Sequence, residues 1–298
     1  MKTIYRSILL VILAAFSVTA HAEKGEGEFL NAIVEIRISV PENARTAERF
    51  GTNRVASGVV IDKTGHVLTI GFQTIEAEKA EIVVKGRKRV EAIVVGYDRN
   101  TGFGLLRANS PLQVTPMPFG SSAEVKKGDP IIAASYGGKD AVQGVMVVAR
   151  KEFAGPWEYL LENGIFTSPP IVNFSGSALI NRNGRLVGIG YLLSQLMIDE
   201  LWVIQTNMFV PIDLLKPILS DFKLSGSSKL PLRPWLGVRT EELYGRLIVE
   251  RVISGSPSEK AGIKPVILSF PLRNRMCMGW RIFTERSGRL AKQALMCL

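Results

Sequence analysis

The run Asn173-Phe174-Ser175-Gly176-Ser177-Ala178-Leu179 presents a hydroxyl in a glycine-flanked turn. "INRNGRLVGIG" follows, with two apolar runs around an Asn-Gly signal, and this predicts a β-hairpin directly after the serine. A serine so placed has two uses. It is a nucleophile if a base lies within hydrogen-bond reach and a third group orients that base. Without a base it is a small residue in a tight turn. Histidine is scarce: the chain has only His21 and His66. His66 falls at a predicted hairpin turn and reads as a surface histidine. Both cysteines, Cys277 and Cys297, lie near the C-terminus, so the body of the chain builds no disulfide and no cysteine metal site. One body histidine argues against zinc. No calcium loop and no glycine-rich phosphate cradle is visible. No metal and no cofactor are expected.

The elements that must position Ser175 are strands. From Ala32 onward, short β-branched runs alternate with turn residues: "NAIVEIRISV", then "ASGVVID" and "HVLTIG" around a turn at Gly65, then "AEIVVKG" and "RVEAIVVGYD". "DPIIAASYGG", "QGVMVVARKEF" and "LWVIQTNMFVPI" continue the pattern. Strands at this spacing over roughly 190 residues predict a mostly β fold of two barrels. "VPIDLLKPILSDFKLSG" changes period, with Ile212, Leu214, Leu215, Ile218 and Leu219 at helical spacing before Gly226. It predicts a short amphipathic helix. A Gly/Ser/Pro linker at 223–233 then leads to a smaller α+β unit from Pro234, with a helix at "SPSEKAG".

The ends differ from the body. Lys2 and Arg6, the apolar run Ser7–Val18 and the small-x-small Ala20-His21-Ala22 read as a secretory signal peptide over 1–22, so the mature chain is expected to be periplasmic. The net charge is +10, but two of these charges lie in the leader and five more in 266–298, leaving +3 for the body. A body so nearly balanced argues against a nucleic-acid partner. Residues 266–298 lose strand alternation and turn basic. They read as a frameshifted or truncated end, because the break falls within a domain. The alternative is a basic amphipathic tail, the one segment through which membrane contact is expected.

Four segments in order resemble the HtrA/Deg family of exported trypsin-fold serine proteases with a C-terminal PDZ domain. They are "SGVVIDKTGHVLT", "VVGYDRNTGFGLLR", "NFSGSALINRNGRLVGI" and "PWLGV…GSPSEKAGIKP". The resemblance implies a trypsin-like double β-barrel over 23–222, then a partial PDZ-like α+β domain over 234–298. It also implies a catalytic triad, of which only Ser175 matches. Phe72 stands at the family's histidine position and Gly102 at its aspartate position. Asp98 matches a turn aspartate, for which an Asx-type contact is expected. The oxyanion loop carries Asn173 in place of a glycine and Phe174 in place of a small polar residue. Asn173 is expected to accept the positive φ that such a glycine supplies. Ser175 therefore reads as the remnant of a nucleophile, in a protein that binds polypeptides rather than cutting them. The alternative is a weak endopeptidase in which Ser175 uses a non-standard base; no lysine falls at a matching position.

In the PDZ-like unit, Trp235, Leu236, Gly237 and Val238 match the family's carboxylate-binding loop, which implies capture of peptide C-termini. An ordinary strand start after a proline linker accounts for the same residues equally well. The partners implied are exported or unfolded polypeptides, and a homo-trimer or an assembly with a related protease.

Overall fold

In the computed structural model, residues 29–84, 88–153, 161–198, 202–229, 236–243 and 246–268 are described. The expected signal peptide and most of the basic tail lie outside them. Six strands close a first barrel: β1 (Ile33–Ser39), β2 (Asn53–Val60), β3 (His66–Ile70), β4 (Lys79–Val84), β5 (Lys88–Tyr97) and β6 (Phe103–Ala108). Their order around the barrel is β1-β2-β3-β6-β5-β4. A second barrel follows in the order β10-β11-β12-β9-β8-β7. It is built from β7 (Pro130–Ala134), β8 (Val142–Phe153), β9 (Leu161–Ser168), β10 (Ala178–Ile180), β11 (Leu186–Ile198) and β12 (Trp202–Pro211). The fold is mostly β with two barrels, as the strand runs predict.

The period-2 pattern explains the packing. Along β1 the side chains of Val34, Ile36 and Ile38 are buried while Arg37 between them is exposed. They meet Val59, Leu68, Ile82 and Leu105 in the first barrel's core. Pairing between the named strands is antiparallel, so each hairpin needs only a tight turn. At the turn predicted after Ser175, Gly184 takes φ +70° and the Asn181 side chain accepts from the N–H groups of Asn183 and Arg185, each at 3.0 Å.

The segment after β12 departs from the expected single helix. Ile212–Leu214 form one 3₁₀ turn, and the α-helix starts only at Leu219, running to Ser225. Pro217 explains the break, because the residue before a proline is pushed out of helical geometry and proline donates no N–H. The helix passes the boundary expected at Phe222, and Gly226 at φ +70° ends it. Its last turn is fixed to the first barrel. Gly226 packs so closely on Gly96 that a β-carbon at Gly96 would lie 1.8 Å from the Gly226 carbonyl oxygen.

The third unit is a three-stranded antiparallel sheet, β13 (Val238–Leu243), β14 (Arg246–Val252) and β15 (Val266–Leu268). A one-turn helix, Pro257–Lys260, lies between β14 and β15. Its N-cap Ser256 accepts from the Glu259 N–H at 3.2 Å, while the Glu259 carboxylate accepts from the Gly255 N–H at 2.6 Å.

Candidate functional site

Ser175 sits where the two barrels meet, and backbone contacts hold it there. The Ser57 N–H on β2 donates to the Ser175 carbonyl at 2.9 Å. The next residue, Gly176, takes φ +70° and donates to the Gly190 carbonyl on β11 at 2.9 Å. Gly190 donates in return to the Ser177 carbonyl at 2.8 Å. Glycine is required here by contact as well as by φ: a β-carbon at Gly176 would lie 2.0 Å from the Ser57 carbonyl oxygen. Ser177 closes the turn, its hydroxyl donating to the Phe174 carbonyl at 2.7 Å.

Among the described residues the hydroxyl has one hydrogen-bond partner. The Gln73 amide Nε2 donates to Ser175 Oγ at 2.9 Å. Among the described residues no imidazole, carboxylate, lysine or arginine is hydrogen-bonded to Ser175. Gln73 ends a 3₁₀ turn, Gly71–Gln73, that follows β3. Sequence reasoning missed it. The one available signal was an amide side chain directly after the apolar run Ile70–Phe72.

Phe72 points its ring elsewhere. It packs 5.2 Å from the Phe50 ring and stands edge-on to Tyr191 at 6.0 Å; Tyr191 in turn meets Phe153 at 5.8 Å. These rings join the first barrel's loops to β11 and β8 of the second. Gly102 has φ +82°, a conformation that strains any L side chain, aspartate included. Its carbonyl accepts from the Gly71 N–H at 2.7 Å and its N–H donates to the Asp98 carbonyl at 2.8 Å. The Tyr97 ring fills the space beside Gly71, where a β-carbon would lie 2.0 Å from a ring carbon.

Asp98 makes the turn contact expected of it. One carboxylate oxygen accepts from the Thr101 N–H at 2.9 Å and its hydroxyl at 2.6 Å, and the other accepts from the Ser228 hydroxyl at 2.9 Å. His66 corrects the expectation of a surface residue. It is 8% exposed, and its Nδ1 lies 2.8 Å from the Asp62 carboxylate. Lys223 joins the same carboxylate at 2.6 Å. Burial opposes the charge on Asp62, but hydrogen bonds from Lys223, Thr64 and the His66 N–H, with the His66 ring charge, hold its pKa well below the usual carboxylate value. This cluster belongs to the β2–β3 hairpin and the helix Leu219–Ser225, and none of its members is bonded to Ser175.

Asn173 also differs from expectation. Glu76 and Gln113 are the non-glycine residues with positive φ among those described, so Asn173 is not left-handed. The loop turns at Gly176 instead. Asn173 is exposed, and Phe174 is half-buried against the second barrel's core. The backbone N–H groups of Asn173, Phe174 and Ser175 make no hydrogen bond within the protein among the described residues.

Arg54 on β2 supports the turn that carries Gln73. It is 3% exposed and donates to the carbonyls of Gly51, Phe72, Gln73 and Ile75 at 3.0, 3.1, 3.4 and 3.0 Å, and to the Thr46 hydroxyl at 2.7 Å. Burial lowers its pKa and nearby Glu76 raises it; a guanidinium keeps its charge through such changes.

In the third unit, Trp235 lies outside the described residues. Gly237 has φ +73°, and its carbonyl accepts from the Ile253 N–H at 2.8 Å. The Leu236 carbonyl accepts from the Ser258 N–H at 3.0 Å, and Val238 opens β13 opposite Val252. Among the described residues, no three His, Cys, Asp or Glu side chains cluster as a metal site would require.

Comparison with known proteins bears on this geometry. Residues 56–189 match the model of the trypsin-like peptidase domain family. The chain is 25% identical over 232 residues to the "Probable periplasmic serine endoprotease DegP-like" of Hahella chejuensis, covering 72% of this chain and 47% of that protein. It is 26% identical over 235 residues to the serine endoprotease DegS of Haemophilus influenzae, covering 76% and 67%. It is also 26% identical over 264 residues to the periplasmic pH-dependent serine endoprotease DegQ of Escherichia coli, covering 81% and 56%. Against the first of these relatives the chain spans about half of that protein's length. Among solved structures, the HtrA-type protease AlgW with tripeptide aligns at a TM-score of 0.54 and 20% identity, covering 80% of this chain and 78% of that one. That likeness concerns the fold.

Proposed function

We propose that this chain, whose double barrel is a trypsin-like peptidase domain with HtrA-type protease homologues, is a periplasmic polypeptide-binding protein that has lost peptide-bond hydrolysis. One observation carries the reading: the group in contact with Ser175 Oγ is the Gln73 amide. An amide has no basic lone pair near neutral pH and takes no proton from a hydroxyl, so the serine has no route to an alkoxide. The surroundings support it. Phe72 fills an aromatic contact, and Gly102 adopts a φ that disfavours aspartate. The relatives named periplasmic support the location.

On this reading the second barrel retains its architecture for binding, and the unit from Leu236 to Leu268 is a PDZ-like accessory that meets peptide C-termini through Leu236, Gly237 and Val238. Partners are unfolded exported polypeptides. Assembly with further copies or with a related protease follows from HtrA-type kinship.

The test is hydrolysis of casein by the full chain beside its Ser175→Ala variant. Equal silence is expected. Hydrolysis by the parent that the variant lacks would make Ser175 a nucleophile and end the proposal.

A further inference from the structure

Several hydrogen-bond donors at the Ser175 turn have no acceptor inside the protein among the described residues. Gln73 gives one amide N–H to Ser175 Oγ at 2.9 Å. The serine oxygen thereby accepts, and its own proton has no recorded acceptor among the described residues. The second N–H of the Gln73 amide is likewise free to donate, since a primary amide nitrogen carries two. The N–H groups of Asn173, Phe174 and Ser175 add three donors without an acceptor inside the protein. These residues are exposed or half-buried at the junction of the barrels, so a ligand can reach them. Behind the Gln73 turn lies Arg54, a buried cation that donates to backbone carbonyls and to the Thr46 hydroxyl, with the Glu76 carboxylate nearby and itself bonded to Thr46. No carboxylate side chain is hydrogen-bonded to any of these donors among the described residues.

A neutral peptide carbonyl has two lone pairs and leaves most of such a donor set unmatched. A carboxylate offers about four acceptor sites and a full negative charge, which suits the number of donors. We propose that the cleft at Ser175 captures the terminal carboxylate of an extended polypeptide, with Ser175 and Gln73 acting as hydrogen-bond donors. This deepens the reading above and rests on it, since a serine with a base would spend its proton on that base. It assigns a carboxylate site to the double barrel, separate from the loop at Leu236–Val238.

The experiment uses the full chain and fluorescein-labelled penta-alanine with a free C-terminus, beside the same peptide amidated at its C-terminus. Binding is read by fluorescence anisotropy, and the probe is checked by mass spectrometry for cleavage. The free acid is expected to bind about tenfold or more tightly than the amide, as charge-assisted hydrogen bonds are the stronger kind. In a Gly237→Val background, which removes the loop at Leu236–Val238 as a second carboxylate site, a preference is expected to remain, and Ser175→Ala and Gln73→Leu are each expected to remove most of it. Equal binding of acid and amide would overturn the proposal. So would a preference that survives in both cleft variants and disappears with Gly237→Val. Serine-dependent shortening of the probe would instead overturn the loss of hydrolysis, a failure separable from the binding result.

Discussion

On the second-barrel side of the cleft, Ser175 is held by an arrangement that has no tolerance. Gly176 is left-handed, hydrogen-bonded to β11 and pressed onto the Ser57 carbonyl, and Gly190 is pressed onto the Phe174 carbonyl, where a β-carbon would lie 2.0 Å away. On the first-barrel side, residues 71, 72 and 102 serve packing and turn contacts. Phe72 joins a row of aromatic rings, Tyr97 covers Gly71, and Gly102 serves the turn capped by Asp98. The side that presents the serine also packs the junction between barrels, so changing it costs stability. On the proposed reading the first-barrel wall carries no proton-transfer group, and the Phe72 ring there adds aromatic contact area.

The sharpest way to break this comparison is at Gly176. Gly176→Ala places a methyl against the Ser57 carbonyl at a left-handed φ, and is expected to cost at least about 4 kcal/mol in denaturant unfolding. Gly128 has φ +93° with nothing near its β-position, so Gly128→Ala is expected to cost only about 1 kcal/mol. Similar costs for both would mean that conformation alone, and not packing at the serine turn, protects Gly176.

Next comes Arg54. Arg54→Met leaves the carbonyls of Phe72, Gln73 and Ile75 without this donor in a half-buried turn, with an expected loss of about 2–3 kcal/mol. A melting temperature unchanged from the parent would show that the turn holding Gln73 stands without it.

The comparison is sharpened at the first-barrel wall by two single substitutions. Gln73→His puts an imidazole on the residue that already reaches Ser175, and a slow Ser175-dependent labelling by a fluorophosphonate is expected. The rate should lie on the order of 10⁴-fold below that of a complete triad, because no carboxylate orients the ring. Phe72→His is expected to stay silent, its side chain being directed at Phe50 and Tyr191. Labelling of Phe72→His but not Gln73→His would reverse the assignment.

The smallest effect concerns Asp213, which ties the turn after β12 to the loop before β7. Burial opposes its charge, but Lys216, the Ser122 hydroxyl and the Ala123 N–H hold its pKa down at about 2. A pKa depressed in the folded state stabilises above the unfolded value, and that stability is lost as pH falls toward 2. The group is partly exposed, so the contribution is set at about 1 kcal/mol. The parent is expected to exceed Asp213→Asn by that amount at pH 6 and to converge with it near pH 2, measured by urea unfolding. A gap constant across that range would assign the effect to hydrogen bonding in either protonation state.

The strands and both barrels were legible because alternation with a period of two is a local property. Val34, Ile36 and Ile38 announce a buried face without reference to anything distant. The serine turn and its hairpin were legible for the same reason, through Gly176 and the Asn183-Gly184 signal. The segment 212–225 was harder, since its apolar spacing suggested one helix until Pro217 divided it. His66 was misjudged because its burial depends on Lys223 and Asp62, which meet only when the helix Leu219–Ser225 docks beside the first hairpin.

The sequence by itself determined the strand pattern, a single histidine after His21, and a phenylalanine and a glycine at positions 72 and 102. Tertiary structure decided which side chain meets Ser175. In an extended strand, neighbours face opposite ways, but the 3₁₀ turn Gly71–Gln73 suspends that alternation. The orientation of residues 72 and 73 then depends on Arg54 gripping the turn's carbonyls, Tyr97 lying on Gly71, and Phe50 and Tyr191 receiving the Phe72 ring. Those partners are remote in the chain, and only folding brings them together.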